Sequence, residues 1–360
     1  MWNYIKHTGR RLTRRIRRLA EAPEDYSHLP RFDVGVVGAA GWIARVHLDA
    51  LRRTGQNVVV AMDPSDAGIA ILDDKFPDAR FVRDEEALEE FLSRPDAPEL
   101  RWLGICSPDF AHRRHMELAL RCGVDAVCEK PLVMDPKDLD DLEELEKQTG
   151  RRIYPIMQHR YNPAVLAEAA RAGSGRPGLP GRSERAQVDV TYVAHRGPWY
   201  LSSWRGREDQ AAGLAMDIGI HFFDLLIELF GDLEQCRVQV RTPTALGGTL
   251  TLDGADVRWF LSIDRRHMPT EMAALGIRNL RSFQIDGREV ELSQSMGGLH
   301  ATSYAEIAAG RGLRIADVRP GLEAAWTAQH QPLSDEMDPV HPLTLQLRRR
   351  LDEGLVDDHD

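Results

Sequence analysis

Two patterns of apolar residues divide the chain. Between residues 33 and 156, short apolar runs rich in β-branched residues alternate with segments in which apolar residues recur every three or four positions. The runs predict buried strands, and the spaced segments predict helices that end near glycine. The predicted strands are DVGVV (33–37), NVVVAMD (57–63), ARFV (79–82), RWLGICS (101–107), VDAVCE (124–129) and RIYPIM (152–157), and the predicted helices span 41–55, 85–94, 110–123 and 136–150. This alternation predicts a doubly wound parallel sheet, a Rossmann-type α/β domain, over residues 31–157.

The pattern changes after the loop GSGRPGLPG (173–181), where apolar and polar residues begin to alternate. Alternation with turns such as Asp-Gly predicts a mainly antiparallel sheet. Its predicted strands are 186–195, 235–242, 249–254, 256–264, 281–287 and 288–293, and helices are predicted at 209–230, 301–310 and 320–329. We therefore predict an α+β domain over residues 158–330, an N-terminal extension over residues 1–30 and a polar, peripheral tail over residues 331–360.

Composition agrees with a globular protein of two domains. The chain has 360 residues, 42% of them hydrophobic and 28% charged, and domains commonly have about 100–200 residues. No apolar run approaches the roughly 18 residues that a membrane-spanning helix needs, and the N-terminus lacks the apolar region of a secretory signal. The four cysteines show neither disulfide density nor metal-ligand spacing. We expect a cytoplasmic location and no metal.

Charge is unevenly distributed along the chain. Residues 1–20 contain seven basic residues and no acidic residue, although the whole chain has a formal net charge of −10. An acidic body repels phosphate, which argues against nucleic-acid binding. The basic segment is also amphipathic, so contact with an anionic membrane surface is one hypothesis, and a solvated or subunit-contacting extension is the other.

The segment GVVGAAGWIA (35–44) follows a predicted strand and opens a predicted helix. Relative to the pattern G-x-G-x-x-G/A, Gly38 occupies the first position, Ala40 replaces the second glycine and Ala44, one residue beyond the strict spacing, takes the place of the third. Gly41 adds backbone freedom just before Trp42 and Ile43. A strand–loop–helix of this kind directs backbone N–H groups and the positive end of a helix dipole at a diphosphate.

Asp63 ends the second predicted strand, 25 residues after Gly38. A carboxylate at this position accepts hydrogen bonds from the adenosine ribose hydroxyls and repels a 2′-phosphate. This favours NAD over NADP as the cofactor. A turn-forming aspartate before Pro64 is the alternative explanation.

Two further segments carry candidate acid–base chemistry. Lys130 directly follows the fifth predicted strand, and Pro131 forces its backbone out of the helical region with an X–Pro bond that can be cis. Asp217 and His221 lie four residues apart, so a regular helix would let Asp217 orient the imidazole of His221 as a base. A surface lysine and a core histidine are the alternatives for these residues taken singly. His112 and His115 form an HxxH pair, for which a solvated basic helix face is favoured over a metal site.

These segments resemble the glucose–fructose oxidoreductase and inositol dehydrogenase family. The resemblance covers roughly residues 32–328 and includes the loop at 38–44, CSPDFAH (106–112), Glu129-Lys130-Pro131 and Asp217…His221. It implies a nicotinamide domain followed by an open-faced sheet that carries substrate recognition and often oligomer contacts, here of a dimer or tetramer. It further implies proton chemistry by Lys130 and His221. The cofactor contacts that it implies include Ser107, Pro108, His112 and Glu129.

One branch of the family, the UDP-N-acetyl-2-amino-2-deoxyglucuronate 3-dehydrogenases, is similar over longer stretches, among them 38–51, 61–81, 196–206, 219–231 and 299–312. Asp217 is a departure, because that branch tends to have asparagine there. The resemblance implies NAD-dependent oxidation of the 3-hydroxyl group of a UDP-linked amino uronate for bacterial surface polysaccharides, with 2-oxoglutarate as a candidate oxidant for NADH. A diphosphate and a carboxylate require cations and aromatic surfaces, for which the candidates are Arg160, Arg196, Tyr200, Trp204 and Arg205. The alternatives are another sugar or inositol dehydrogenase and a non-catalytic NAD-binding regulatory protein.

Overall fold

The first six strands of the chain form one parallel sheet. The computed structural model describes residues 25–171, 184–197, 199–207, 209–292 and 296–354. The strands are β1 (Asp33–Val37), β2 (Asn57–Met62), β3 (Arg80–Val82), β4 (Leu100–Ile105), β5 (Asp125–Cys128) and β6 (Ile153–Pro155), in the order β3-β2-β1-β4-β5-β6. Every adjacent pair is parallel, which confirms the predicted doubly wound sheet. The strand order reverses at β1 and β4, where the carboxyl ends of the strands open a crevice.

Helices cover both faces of this sheet. They are α1 (Trp42–Arg53), α2 (Ala67–Lys75), α3 (Glu85–Ser93), α4 (Asp109–Arg121) and α5 (Asp138–Thr149). Strand side chains alternate between two apolar cores, with Val36 in one and Val37 in the other. Helix α2 was not predicted, because only Gly68 and Leu72 of its nine residues are buried and the apolar pattern is correspondingly weak.

The remaining strands form a mixed sheet that is mainly antiparallel, as predicted. They are β7 (Ala186–Ala194), β8 (Leu233–Arg241), β9 (Ala245–Leu252), β10 (Ala255–Ser262), β11 (Asn279–Ile285) and β12 (Arg288–Glu289), in the order β12-β11-β7-β10-β9-β8. The only parallel pair among them is β7 and β10. Strand β9 starts earlier than predicted and includes Gly247 and Gly248. A Cβ atom on Gly248 would lie 2.0 Å from the carbonyl oxygen of Arg237, so glycine lets β8 approach closely.

The remaining helices follow the first sheet along the chain. They are α6 (Pro163–Arg171), α7 (Trp199–Ser202), α8 (Ile220–Phe230), α9 (Thr270–Ala274), α10 (Met296–Ala308), α11 (Ile315–His330) and α12 (Pro342–Asp352), with 3₁₀ turns at Gln158–Tyr161, Trp204–Gly206 and Arg265–His267 and a π-turn at Ala215–Gly219. Helix α8 packs on the second sheet through ring contacts of Phe222 with Tyr192 and of Phe223 with Trp259. The single helix predicted at 209–230 is in fact the π-turn at Ala215–Gly219 followed by the shorter helix α8.

Helix α10 returns to the first domain and packs on α1. Its residues Ala301 and Tyr304 are fully buried in the same apolar core as Leu48 and Trp102. The first sheet is consequently covered in part by a segment that lies far along the chain.

Helix α12 lies within the region that we predicted to be a polar, peripheral tail. Leu347 is buried against Val240 and Phe260 of the second sheet, and the His341 ring stacks on Phe260 with 5.9 Å between ring centroids. The packing of α12 depends on few apolar residues, so the sequence pattern gave no helix there.

Two predicted features, the basic segment at 1–20 and the loop at 173–181, lie outside the described residues. Among the helices that the structure describes, none is both long enough and apolar enough to cross a bilayer.

Candidate active site

The predicted phosphate loop forms the turn from β1 to α1. Gly38 has a φ of 80°, and a Cβ atom on it would lie 2.5 Å from the backbone nitrogen of Ser107, so both the conformation and the space require glycine. Gly41 is the N-cap of α1 and provides no side-chain cap. Trp42 is 69% exposed, and Ile43 is half-buried behind it. With Ala40, these residues form a helix N-terminus that fits a diphosphate.

Asp63 is held beside this loop. Its Oδ2 accepts a hydrogen bond from the backbone N–H of Ala40 at 2.9 Å, and its Oδ1 accepts one from the backbone N–H of Ser65 at 2.8 Å. The carboxylate therefore lies at the carboxyl end of β2, where an adenosine ribose fits. The structure brings Asp63 and the loop together as the sequence predicts.

The segment after β4 links several loops at the same edge of the sheet. Ser107 Oγ lies 2.8 Å from Nδ1 of His115, and Pro108 is the N-cap of α4. His112 is buried, with Nε2 at 2.8 Å from the carbonyl oxygen of Ser107 and Nδ1 at 2.8 Å from that of Pro131. His112 thus ties the β4 loop to the β5 loop, and its predicted contact with the cofactor remains a prediction.

Glu129 stands at the centre of a buried network that the sequence analysis did not foresee. Its Oε1 lies 2.7 Å from Nε2 of His47 and 3.1 Å from Nε2 of His300, and its Oε2 accepts the backbone N–H of Lys130. His47 Nδ1 lies 2.8 Å from the Tyr304 hydroxyl group, which donates because Nε2 is the protonated nitrogen that faces the carboxylate. Burial raises the pKa of Glu129, but the hydrogen bonds from His300 and His47 outweigh it and hold that pKa well below its usual value.

The same three residues could be considered as metal ligands. One ligand atom from each of His47, Glu129 and His300 lies within 4.8 Å of the other two. The separation of 2.7 Å between His47 and Glu129 is that of a charge-assisted hydrogen bond. We therefore interpret the cluster as a hydrogen-bond network that fixes the backbone at Lys130.

Lys130 reaches across to the π-turn of the second domain. The Lys130–Pro131 bond is cis, and Nζ donates hydrogen bonds to the backbone oxygen of Asp217 at 2.6 Å and to its Oδ1 at 3.1 Å. Burial lowers the pKa of Lys130, but the negative charge of Asp217, and that of Asp109 when it is ionised, raise it overall, so the lysine is held as an ammonium group.

Asp217 does not orient His221, and that part of the prediction was wrong. Its Oδ2 accepts a hydrogen bond from the Tyr200 hydroxyl group at 2.5 Å, and its Oδ1 binds Lys130. The reason is local, because a π-turn has more residues per turn than an α-helix and removes the shared face of residues four apart. Burial raises the pKa of Asp217, but Lys130, Tyr200 and Arg205 lower it to about 2.

His221 is a neutral imidazole in this site. Its ring lies edge-on to that of His159 with 4.8 Å between centroids, and among the described residues its Nδ1 has no hydrogen-bond partner. Burial, then the charges of His159 and Lys130, hold the pKa of His221 well below its usual value. The charge of Lys130 therefore acts on the His221 ring, which lines a small cavity together with Tyr192 and Arg281.

Three of the candidate substrate residues lie close to one another. Tyr200 and Arg205 meet at Asp217, with Nε of Arg205 3.8 Å from Asp217 Oδ2. Trp204 lies against Arg205, whose guanidinium is 4.2 Å from the centroid of the Trp204 ring. Arg196 is half-buried and lies two residues after the end of β7.

Arg160 does not belong with these residues, which corrects its predicted role in substrate binding. It is buried, with Nε and Nη2 at 2.7 Å and 2.6 Å from the Asp224 carboxylate and Nη1 at 2.6 Å from Glu228. Its hydrogen-bond donors are used to connect the 3₁₀ turn at Gln158–Tyr161 to α8. The sequence does not show the two acids that pair with Arg160, because Asp224 and Glu228 lie 64 and 68 residues further along the chain.

A glycine loop, an acidic residue after β2 and a charged lysine at the end of β5, all on one edge of a doubly wound sheet, define a nicotinamide-dependent oxidoreductase. Comparison with known families agrees with this class. The chain belongs to the oxidoreductase family whose NAD-binding Rossmann fold matches residues 32–156 and whose C-terminal α/β domain matches residues 185–266. The predicted family is confirmed, and with it NAD as the cofactor.

Among solved structures, the chain is similar to the WlbA (WbpB) dehydrogenase from Thermus thermophilus in complex with NAD and UDP-GlcNAcA. The identity is 38%, the TM-score is 0.80, and the match covers 86% of this chain and 99% of that one. The same dehydrogenase in complex with NAD and alpha-ketoglutarate matches with a TM-score of 0.79 and the same identity and coverage.

Curated relatives are less similar. An uncharacterised oxidoreductase of Synechocystis sp. is 27% identical over 60% of this chain, and D-apiose dehydrogenase of Paraburkholderia graminis is 30% identical over 61% of it. The chain spans 56% and 55% of the lengths of these two relatives.

Proposed function

We propose that the protein oxidises the 3-hydroxyl group of a UDP-linked N-acetylamino uronic acid with NAD. The observation that carries the proposal is the 38% identity, over 99% of its length, to a dehydrogenase solved with NAD and UDP-GlcNAcA. The cluster of Arg205, Trp204 and Tyr200 beside Lys130 supports it, because a uronate carboxylate or a diphosphate needs a cation and a nucleotide sugar needs flat apolar surfaces.

The residues have distinct roles in this proposal. Gly38, Ala40 and Gly41 would hold the cofactor diphosphate, and Asp63 would hold the adenosine ribose. The chemistry that NAD supplies when bound is acceptance of a hydride from the carbinol carbon. The Lys130 ammonium group would donate a hydrogen bond to the substrate hydroxyl and make its proton more acidic, and neutral His221 would accept that proton.

A second candidate is the oxidation of a sugar that carries no nucleotide. The similarity to D-apiose dehydrogenase favours it at the level of the reaction class. In this case Lys130 and His221 keep their roles in proton transfer, and the substrate offers no negatively charged group to Arg205.

The test is the appearance of NADH absorbance when UDP-GlcNAcA is added to the purified protein with NAD. UDP-N-acetylglucosamine, D-apiose and myo-inositol are the comparison substrates, and mass spectrometry of ligands that co-purify with the protein is the complement. Preference for UDP-GlcNAcA supports the proposal, and turnover of D-apiose or myo-inositol alone replaces it with the second candidate. If none is oxidised while NAD still binds, a regulatory NAD-binding protein becomes the better hypothesis.

The fate of NADH is tested in the same cuvette. If 2-oxoglutarate reoxidises the cofactor, its addition after NADH has formed removes the absorbance and yields 2-hydroxyglutarate. The complex of the Thermus thermophilus dehydrogenase with alpha-ketoglutarate supports this part of the proposal.

A further inference from the structure

Asp109 is a buried acid in this site to which the reaction proposed above gives no role. It is the first residue of α4 and is only 7% exposed. Its Oδ2 is buried and has no hydrogen-bond partner among the described residues. An unpartnered carboxylate oxygen is unfavourable in a protein interior, whereas a protonated carboxyl group is tolerated far better.

The charged groups that act on the Asp109 carboxyl group come from several elements. Lys130 and Glu129 lie at the end of β5, Asp217 lies in the π-turn, and Arg205 lies in the 3₁₀ turn that follows α7, and each influences the Asp109 carboxyl group. The start of α4 also contacts the segment of Arg205 directly, because the rings of Phe110 and Trp204 meet edge-on with 6.3 Å between centroids.

On its own helix, burial lowers the pKa of His112, which favours the neutral imidazole. Tyr200 is neutral as well, because burial and the charge of Asp217 raise its pKa.

These charges balance only while Asp109 keeps its proton. Lys130 and Arg205 supply two positive charges, and Asp217 and Glu129 supply two negative ones. An ionised Asp109 adds a third negative charge and offers Lys130 and Arg205 another carboxylate. An anionic substrate would then meet both repulsion and competition for its cationic partners.

We propose that Asp109 is a positioning residue whose protonation state controls the affinity of the site for anionic substrates, acting through Lys130 and Arg205. The inference rests on the proposed function, because it supposes a substrate with negative charge near these residues. Burial, and after it the charge of Asp217, raise the pKa of Asp109 to about 7 against the opposing charges of Lys130 and Arg205. The Asp109 carboxyl group therefore changes its charge within the pH range of an enzyme assay.

The test is the pH dependence of KM and kcat for UDP-GlcNAcA in the full-length wild type and in Asp109→Asn. In the wild type, KM is expected to rise above a pH of about 7, by up to about tenfold per pH unit, because the binding-competent fraction falls. In Asp109→Asn, KM stays at its low-pH value, since the amide cannot ionise, while the pH dependence of kcat is unchanged. Equal KM profiles in the two proteins would overturn the inference.

Two further variants separate this role from a structural one. Asp109→Glu keeps an ionisable group and should retain a KM that depends on pH. Asp125→Asn also removes a buried carboxylate, but at the opposite edge of the sheet beside Arg101 and Arg152, and should leave the KM profile as in the wild type. If Asp109→Asn does not fold, a flat profile in Asp109→Glu contradicts the inference.

Infrared spectroscopy of the NAD-loaded protein tests the protonation itself without turnover. The C=O stretch of a protonated carboxyl group should disappear as the pH rises through about 7, and should be absent from Asp109→Asn. If this band is seen but UDP-GlcNAcA is not oxidised, the proposed function fails and the titration of Asp109 stands. If UDP-GlcNAcA is oxidised but the band is missing, the inference fails and the proposed function stands.

Discussion

Lys130 receives its position from two residues that act on different atoms. Glu129 binds its backbone N–H, and Asp217 binds its ammonium group through both a backbone and a side-chain oxygen. The side chain therefore spans from the first domain to the second with little freedom. A charged, immobilised donor of this kind is suited to polarise a hydroxyl group.

Replacement of Lys130 or His221 tests their roles in proton transfer. Lys130→Met and His221→Asn should each lower kcat by about 10²–10⁴-fold, because a positioned acid–base group contributes that much, while the affinity for NAD stays within a small factor. Steady-state assays and fluorescence titration with NADH measure the two quantities. Lys147→Met, at an exposed lysine on α5, is the matched control, and a parallel loss of NADH affinity would argue for a cofactor role instead.

Asp63 determines the choice of cofactor in our interpretation. Asp63→Ser should weaken NAD binding by about tenfold or more, because one charge-assisted hydrogen bond contributes about 1.5–3 kcal/mol, and should improve the relative use of NADP. The ratio of kcat/KM for the two cofactors is the measurement. Asp73→Ser, at an exposed aspartate of α2, serves as control, and an unchanged ratio in Asp63→Ser would refute this interpretation.

At the scale of elements, the parallel strands and most helices followed from the sequence, because buried runs and spaced apolar residues have clear periodicities. The π-turn at Ala215–Gly219 did not, since the sequence does not show the contacts of its Asp217 with Lys130, 87 residues away, and with Tyr200. Asp109, His47 and His300 were missed for the same reason. The role of each of these residues depends on its contacts with another element, and the sequence does not show those contacts.

Arg160 was predicted to bind substrate, but it holds the 3₁₀ turn at Gln158–Tyr161 against α8. Arg160→Met should lower the free energy of unfolding by about 3–5 kcal/mol, because it removes the two charged hydrogen bonds from Arg160 to the buried Asp224 carboxylate. KM for the substrate should be unchanged in the folded protein. Chemical denaturation and steady-state kinetics measure the two effects.

Arg207→Met is the control for this experiment, because Arg207 forms an exposed ion pair with Asp209 and should change stability little. A large increase in KM for Arg160→Met with an unaltered unfolding midpoint would restore the original prediction that Arg160 binds substrate.

At the scale of the whole molecule, the two domains are not independent. His300 and Tyr304 of α10 complete the network around Glu129 and His47, and Ala301 and Tyr304 are buried in the core that includes Trp102. A segment from the second half of the chain thus completes the first domain.

Residues 25–157 expressed alone should therefore bind NAD weakly and unfold at a lower temperature than the full chain. Removal of α10 exposes apolar surface around Leu48 and Trp102, and it leaves Glu129 with one histidine instead of two. Circular dichroism during heating and titration with NADH measure the two effects. Full NADH affinity and an unchanged melting temperature in the fragment would show that α10 is dispensable.

The order of residues along the chain also has a consequence for protein engineering. Arg196, Tyr200, Trp204 and Arg205 lie within one short stretch between β7 and the π-turn, whereas the cofactor loop and Lys130 are encoded far upstream. A library randomised only at Arg196, Trp204 and Arg205, with Tyr200 kept for its bond to Asp217, could be selected for new sugars while the redox half of the enzyme stays intact.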